Sequence, residues 1–233
     1  MNKPELLAPA GNIEKLKTAY KYGADAAYIG TRDYSLRSRA DNFEADSAEE
    51  LKVIKGSKKL FGALNIYFHD DDLEQVEKQI EDLKRYPFDG LIVSDPGAAA
   101  LLRRLLPNMP LHLSTQANCL NSEAVKWYRD AGFKRIILGR ELNLRQIEKI
   151  RKAVPDVELE TFVHGAMCWA YSGRCYLSSF LSSRSANKGD CAHSCRWEYR
   201  VLEEKKRPGE YLPVIEGDGF TTVLSSKDLF MLD

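Results

Sequence analysis

Seven short apolar stretches recur along this chain at intervals of roughly 25 residues, each followed by a charged, amphipathic stretch. The apolar runs are ELLAPA (5–10), AAYIG (26–30), LFGALNIYF (60–68), GLIVSD (90–95), LHLSTQ (111–116), RIILGRE (135–141) and ELETFVHG (158–165). Between them, residues 12–23 place Ile13, Leu16 and Tyr20 on one helical face, and residues 72–86 do the same with Leu73, Val76, Ile80 and Leu83. Residues 121–132 and 143–153 repeat the pattern. Strand–helix alternation of this kind predicts parallel βαβ units, which close naturally into a TIM-like (β/α)8 barrel. A doubly wound open sheet is the alternative, but no glycine-rich dinucleotide fingerprint follows the first strand.

Composition sets the environment. At 233 residues with 44% hydrophobic and 29% charged residues, the chain reads as a globular protein with one sizeable core. Lys plus Arg and Asp plus Glu number 34 each, so no whole-chain basic signature for nucleic acid exists. The start, MNKPELLAPAG, lacks an apolar signal region, and no apolar run approaches membrane-spanning length, so a cytoplasmic location is expected. There, five cysteines suit thiol, metal or redox chemistry better than a disulfide framework.

A barrel carries its chemistry at the carboxyl ends of its strands. Those ends offer Asn65, Asp95, Gln116 with Asn118, Arg140 with Glu141, and His164 with Gly165. As a set they suggest a polar cavity, although any one of them can be polar simply because a loop begins there. After the seventh strand the alternation fails. The segment from Gly165 onward, an irregular insertion over about 165–220, holds Cys168, Cys175, Cys191 and Cys195 in the spacing C-x6-C-x15-C-x3-C. Four thiols so close in sequence suggest a shared ligand shell for zinc or an iron–sulfur cluster, and the spacing does not choose between them. Small buried cysteines that merely fill space are the blander reading, and Cys119, just past strand five, fits that one better.

The stretch ETFVHGAMCWAYSGRCYLS (160–178) resembles the signature of peptidase family U32, the collagenase-like peptidases, at Glu160, Phe162, Gly165, Ala166, Met167, Cys168, Gly173, Cys175, Leu177 and Ser178. LLAPAG (6–11), YSLRSRADNF (34–43), STQAN (114–118), LGRE (138–141), CRWEY (195–199) and LSSKDL (224–229) extend the resemblance along the whole chain. It implies that residues 1–233 are the barrel, the N-terminal part of a longer protein. Beside peptidase activity, it implies oxygen-independent hydroxylation of tRNA wobble uridine, of a ribosomal RNA cytidine or of the ubiquinone ring. The segment 171–199 is most similar to the tRNA-hydroxylating subgroup. The resemblance further implies a [4Fe–4S] cluster on Cys168, Cys175, Cys191 and Cys195, with the fourth ligand variable among relatives. Prephenate as oxygen source and a partner subunit of the same family are implied in the same way.

The residues weigh these activities. A protease needs an activated nucleophile or a metal-bound water, and the sequence has neither H-E-x-x-H nor G-x-S-x-G. His164 with Cys168 as a Cys–His pair, or Glu141 with His164 on zinc, remain as peptidase alternatives. A non-catalytic scaffold holding zinc is a third reading. For hydroxylation, Arg37, Asn65, Gln116 and Asn118 are the expected substrate-binding residues, and His164, Glu141 and Arg140 the expected catalytic ones. Arginine suits a dicarboxylate such as prephenate because its paired N–H donors match carboxylate geometry. For tRNA, residues 174–207 carry eight Lys or Arg against four acids. Trp169, Tyr171, Tyr176, Trp197 and Tyr199 are interleaved there as a stacking surface.

Overall fold

A computed structural model describes residues 3–30, 47–165 and 167–198, and the backbone of 202–204 and 211–213. Its centre is a seven-stranded parallel sheet in the linear order β1 to β7, the strands of a TIM-like half-barrel: β1 (Leu7–Pro9), β2 (Ala26–Gly30), β3 (Lys59–Leu64), β4 (Gly90–Val93), β5 (Leu111–Leu113), β6 (Arg135–Ile137) and β7 (Glu158–Glu160). Each strand begins where its apolar run was expected to begin, to within two residues. Most stop earlier, because the polar residues at the run ends leave the ladder and bond to loops.

The helices are α1 (Ile13–Lys21), α2 (Ala48–Lys55), α3 (Asp70–Lys78), α4 (Ile80–Arg85), α5 (Pro96–Leu105), α6 (Ser122–Asp130) and α7 (Leu144–Ala153). Their starts are written in the sequence. Asn12, Asp95, Asn121 and Asn143 each cap a helix by accepting a backbone N–H three residues on. Asp95, a strand-end polar residue, is thereby a helix cap. The single helix expected over 72–86 is two, broken at Gln79. Its apolar spacing could not reveal this, since Val76 and Leu83, seven residues apart, are buried on either side of the break.

Alternation along the strands makes two cores. Leu60, Leu64, Leu91, Val93, Leu111, Leu113, Ile136 and Leu138 point outward and pack with helix residues such as Leu16, Leu51, Val76, Leu102, Val125 and Ile150. Ala26, Phe61, Ile92 and Ile137 point inward and pack with Leu7, Tyr28 and Phe162. A parallel sheet buried on both faces needs such near-continuous apolar strands. Each fully buried leucine contributes roughly 2 kcal/mol.

Within the segment expected to be irregular, α8 (Leu177–Ser182) is a helix of six residues. The strands β8 (Leu202–Glu204) and β9 (Tyr211–Pro213) pair antiparallel, separate from the main sheet. No helix among the described residues is long and apolar enough to cross a membrane.

Candidate functional site at the carboxyl ends of the strands

The strand ends are linked by side chains. Asn65 follows β3 and donates from Nδ2 to Ser114 Oγ (3.4 Å), while its own carbonyl accepts from Ser94 Oγ (3.3 Å). Ser114 caps a 3-10 turn over Thr115–Ala117, accepting from the Gln116 N–H at 3.3 Å. The carboxamide of Gln116 is buried against Gly173, and its Oε1 is a buried acceptor with no donor bonded to it among the described residues. Asn65 lies at the end of β3 and Gln116 and Asn118 at the end of β5, on either side of β4.

The cysteine segment is strapped across this mouth. Ser172, 1% exposed, adopts a left-handed backbone (φ 47°). Its N–H donates to Glu141 Oε1 (2.6 Å), its hydroxyl donates to Glu141 Oε2 (3.2 Å), and its oxygen accepts from Asn118 Nδ2 (2.8 Å). Arg174 adds a bond from Nε to the Gln116 carbonyl (2.9 Å). On the far side, the carbonyl of Asn187 accepts from the Tyr67 N–H (3.0 Å), and Lys188 Nζ meets Asp72 Oδ2 at 2.7 Å.

Cys175 and Cys191 have polar neighbours that fix backbone or sulfur, and the other two lie beside fixed backbone. Asn187 bonds Cys175 both ways, Nδ2 to its carbonyl (2.9 Å) and Oδ1 from its N–H (3.0 Å). Arg184 donates to the Cys191 carbonyl, and the His193 N–H donates to Cys191 Sγ at 3.3 Å. Arg196 donates to the Met167 carbonyl, next to Cys168, and Cys195 lies in the 3-10 turn Ser194–Arg196. The thiols also sense one another. Burial raises the Cys195 thiol above its usual range, and Cys168, Cys191 and Cys175 raise it further, with Arg196 opposing.

All five cysteines are free thiols. Cys119 is 1% exposed, and burial pushes its thiol up to about 11, so it is the inert buried thiol expected. Among the described residues, no group of three His, Cys, Asp or Glu side chains is placed to hold a single metal ion. An iron–sulfur cluster spans more space than one ion. Four cysteines in one strap anchored at both ends, with Cys195 sensing the other three and Cys191 Sγ accepting an N–H, fit that wider group.

The remaining expected site residues are dispersed. The Arg140 guanidinium lies 5.5 Å over the Phe162 ring, at the inner core. His164 is exposed beyond β7. Arg37 falls outside the described residues. Ser172, Asn187 and Ser178, whose Oγ accepts from the Ala192 N–H (2.9 Å), were not anticipated. The one sequence signal for Ser172 is its place before a glycine in a polar loop, which marks a turn and names no partner.

A parallel half-barrel whose seventh strand feeds a four-cysteine strap defines a TIM-like α/β protein. The family model described as Peptidase family U32 matches residues 11–233, and the chain belongs to that family. It is 39% identical over 271 residues to tRNA hydroxylation protein P of Escherichia coli, covering 98% of this chain and 59% of that protein. It is 45% identical over 203 residues to tRNA hydroxylation protein P1 of Bacillus subtilis, covering 86% of this chain and 48% of that protein. The chain thus spans about half the length of the curated relatives it matches. A solved U32 peptidase superposes with a TM-score of 0.58 at 16% identity, covering 71% of this chain and 70% of that one, which supports the fold alone.

Proposed function

We propose that this chain is the barrel part of an RNA-hydroxylating enzyme that forms 5-hydroxyuridine at the wobble position of tRNA without molecular oxygen. The observation that carries the reading is the strap itself, a four-cysteine segment clamped over a polar barrel mouth. The names of the relatives support RNA hydroxylation, whereas the peptidase alternative rests on the family's name.

Cys168, Cys175, Cys191 and Cys195 would hold a [4Fe–4S] cluster, which would supply one-electron redox chemistry. The His193 N–H stabilises negative charge on Cys191 Sγ. Asn65 and Gln116 offer carboxamides to a pyrimidine edge, and Gln116 Oε1 stands ready for an N–H donor. Arg140, with Arg37, would take the carboxylates of prephenate as oxygen source. His164 is left as the exposed acid–base group at the rim.

The test is anaerobic purification with iron, sulfide and zinc analysis, followed by nucleoside analysis of tRNA from cells that depend on this chain for hydroxylation. About four irons per chain, lost together with 5-hydroxyuridine in Cys168→Ala, is the expected result. Stoichiometric zinc without iron, or peptide cleavage that needs Cys168 in an iron-free chain, would overturn it.

A further inference from the structure

We infer that Glu141 and Asn187 are positioning residues that fix Cys175 within the strap, and that Glu141 does not transfer protons in the reaction. The inference rests on the cysteine-site reading above and assigns work to groups beside the thiols. The Glu141 carboxylate is occupied at both oxygens, by the N–H and the hydroxyl of one residue, Ser172. That residue is buried and held at φ 47°, a conformation a serine adopts only where its surroundings hold it there. Asn118 Nδ2 adds a third bond, to Ser172 Oγ, so three hydrogen bonds from two residues converge on one residue three positions before Cys175.

From the other side, the Asn187 carboxamide pairs with both backbone groups of Cys175, as a neighbouring strand would. The Asn187 carbonyl is itself tied to the Tyr67 N–H past β3. Cys175 therefore hangs between two fixed points, one on the β5–β6 side of the mouth and one on the β3 side. Each Glu141 oxygen keeps a second lone pair, but both are turned onto buried Ser172 and held against the strap, an orientation suited to positioning rather than to meeting substrate.

The reading is tested on the metal-free, reduced chain by timed alkylation of the thiols with iodoacetamide and mass spectrometry, with buried Cys119 reporting global unfolding. Glu141→Ala, Ser172→Ala and Asn187→Ala should each raise the Cys175 alkylation rate about tenfold, as expected from losing one or two strong hydrogen bonds that oppose local opening. Glu141→Gln keeps an acceptor for the Ser172 N–H and should stay within about twofold of the parent chain. Where an alanine variant also exposes Cys119, Asn187→Asp, which removes the donor to the Cys175 carbonyl, is judged by the same rate. Unchanged Cys175 labelling in folded Glu141→Ala and Asn187→Ala overturns the inference.

On iron-loaded protein, a second reading separates positioning from proton transfer. Positioning predicts that Glu141→Ala changes the spectrum of the reduced cluster and that Glu141→Gln restores it, with the pH–rate profile keeping its shape. Full iron and an unaltered spectrum, with Glu141→Gln as inactive as Glu141→Ala, would make Glu141 an acid–base group and overturn the assignment. Absence of iron from the parent chain would defeat the cluster reading and leave the alkylation result to decide the positioning one.

Discussion

At the scale of single residues, the contact between strap and barrel depends on two glycines. A Cβ at Gly139 would lie 2.4 Å from Leu120 Cδ2, 2.8 Å from Glu141 Oε2 and 3.3 Å from Ser172 Oγ. Gly173 has φ +79°, and a Cβ there would lie 2.8 Å from Gln116 Nε2. Alanine at 139 must push aside the half-buried Leu120 and Glu141, and at 173 it must push aside buried Gln116 and also hold a left-handed backbone. Gly139→Ala and Gly173→Ala should each lower unfolding stability by about 1–3 kcal/mol in urea titration. Loss near zero at both would mean the strap does not seat as closely as these distances require. Asn65, Gln116, Asn118 and Glu141 could be picked from the sequence because strand-end polar residues in a barrel face one mouth. Ser172 could not. Its importance comes from a backbone conformation and from a carboxylate 31 residues away, and no local pattern encodes either.

At the scale of the element, the strap carries its aromatic residues outward and uses its cations inward. Trp169, Tyr171 and Tyr176 are exposed by 62%, 71% and 77%, and Phe180, absent from the expected stacking set, by 75%. Tyr199 of that set lies outside the described residues. Of the basic residues expected to form a cationic patch, Arg200, Lys205, Lys206 and Arg207 lie outside the described residues. Of the others, Arg174 bonds the Gln116 carbonyl, Arg184 bonds Asp190 and the Cys191 carbonyl, Lys188 pairs with Asp72, and Arg196 holds the Met167 carbonyl. The sequence count of positive charge was correct, but charge serves as RNA surface only where it is not already bonded, and pairing is invisible in a count. On the proposed function, stacking on these exposed aromatics contributes to the strap's affinity for an unpaired RNA segment. Trp169→Ala and Tyr176→Ala should each weaken tRNA binding about tenfold or more, since stacking on one base contributes roughly 1–3 kcal/mol. The salt dependence of binding should be unchanged in both variants, as each leaves the charges in place. Filter binding across a salt series reads both quantities, and full affinity in the double variant would remove the strap from the RNA interface.

At the scale of the whole molecule, β1 and β7 are the edges of the described sheet, and one arginine ties them together at the amino ends of the strands. Arg135 opens β6, and its side chain is 8% exposed. It contacts Glu5 ahead of β1 at 2.7 Å, Glu158 at 2.7 Å and Glu160 at 3.3 Å, and it covers the Phe61 ring at 5.1 Å. The periodicity that revealed the strands could not reveal this hub, because its partners meet only when the sheet curls. One guanidinium does not satisfy three carboxylates equally. Glu5 also meets Lys59 at 2.7 Å, and despite the opposing effect of burial its carboxyl is held below the usual range. Burial dominates at Glu160 and raises it to about 7. Beside them, burial and the Arg135 charge lower His112 to about 3, so it stays neutral. The signs follow from proton uptake. Between about pH 4.5 and 7 the folded chain holds a proton on Glu160 that the unfolded chain releases, so stability from this group is full below that window and is lost as pH rises through it. His112 acts oppositely: its stability is present above about pH 6.5 and is lost as pH falls toward 3, while the unfolded imidazole takes up a proton. Glu160→Gln fixes the uncharged form. Its melting temperature should exceed that of the parent chain at pH 8, the difference shrinking through pH 7 and vanishing below about pH 4.5, where the parent carboxyl is protonated in both states. Paired thermal melts at pH 4.5, 6 and 8 measure that difference. A variant less stable than the parent at pH 8 would show that the Arg135 pair outweighs the cost of burying the Glu160 charge.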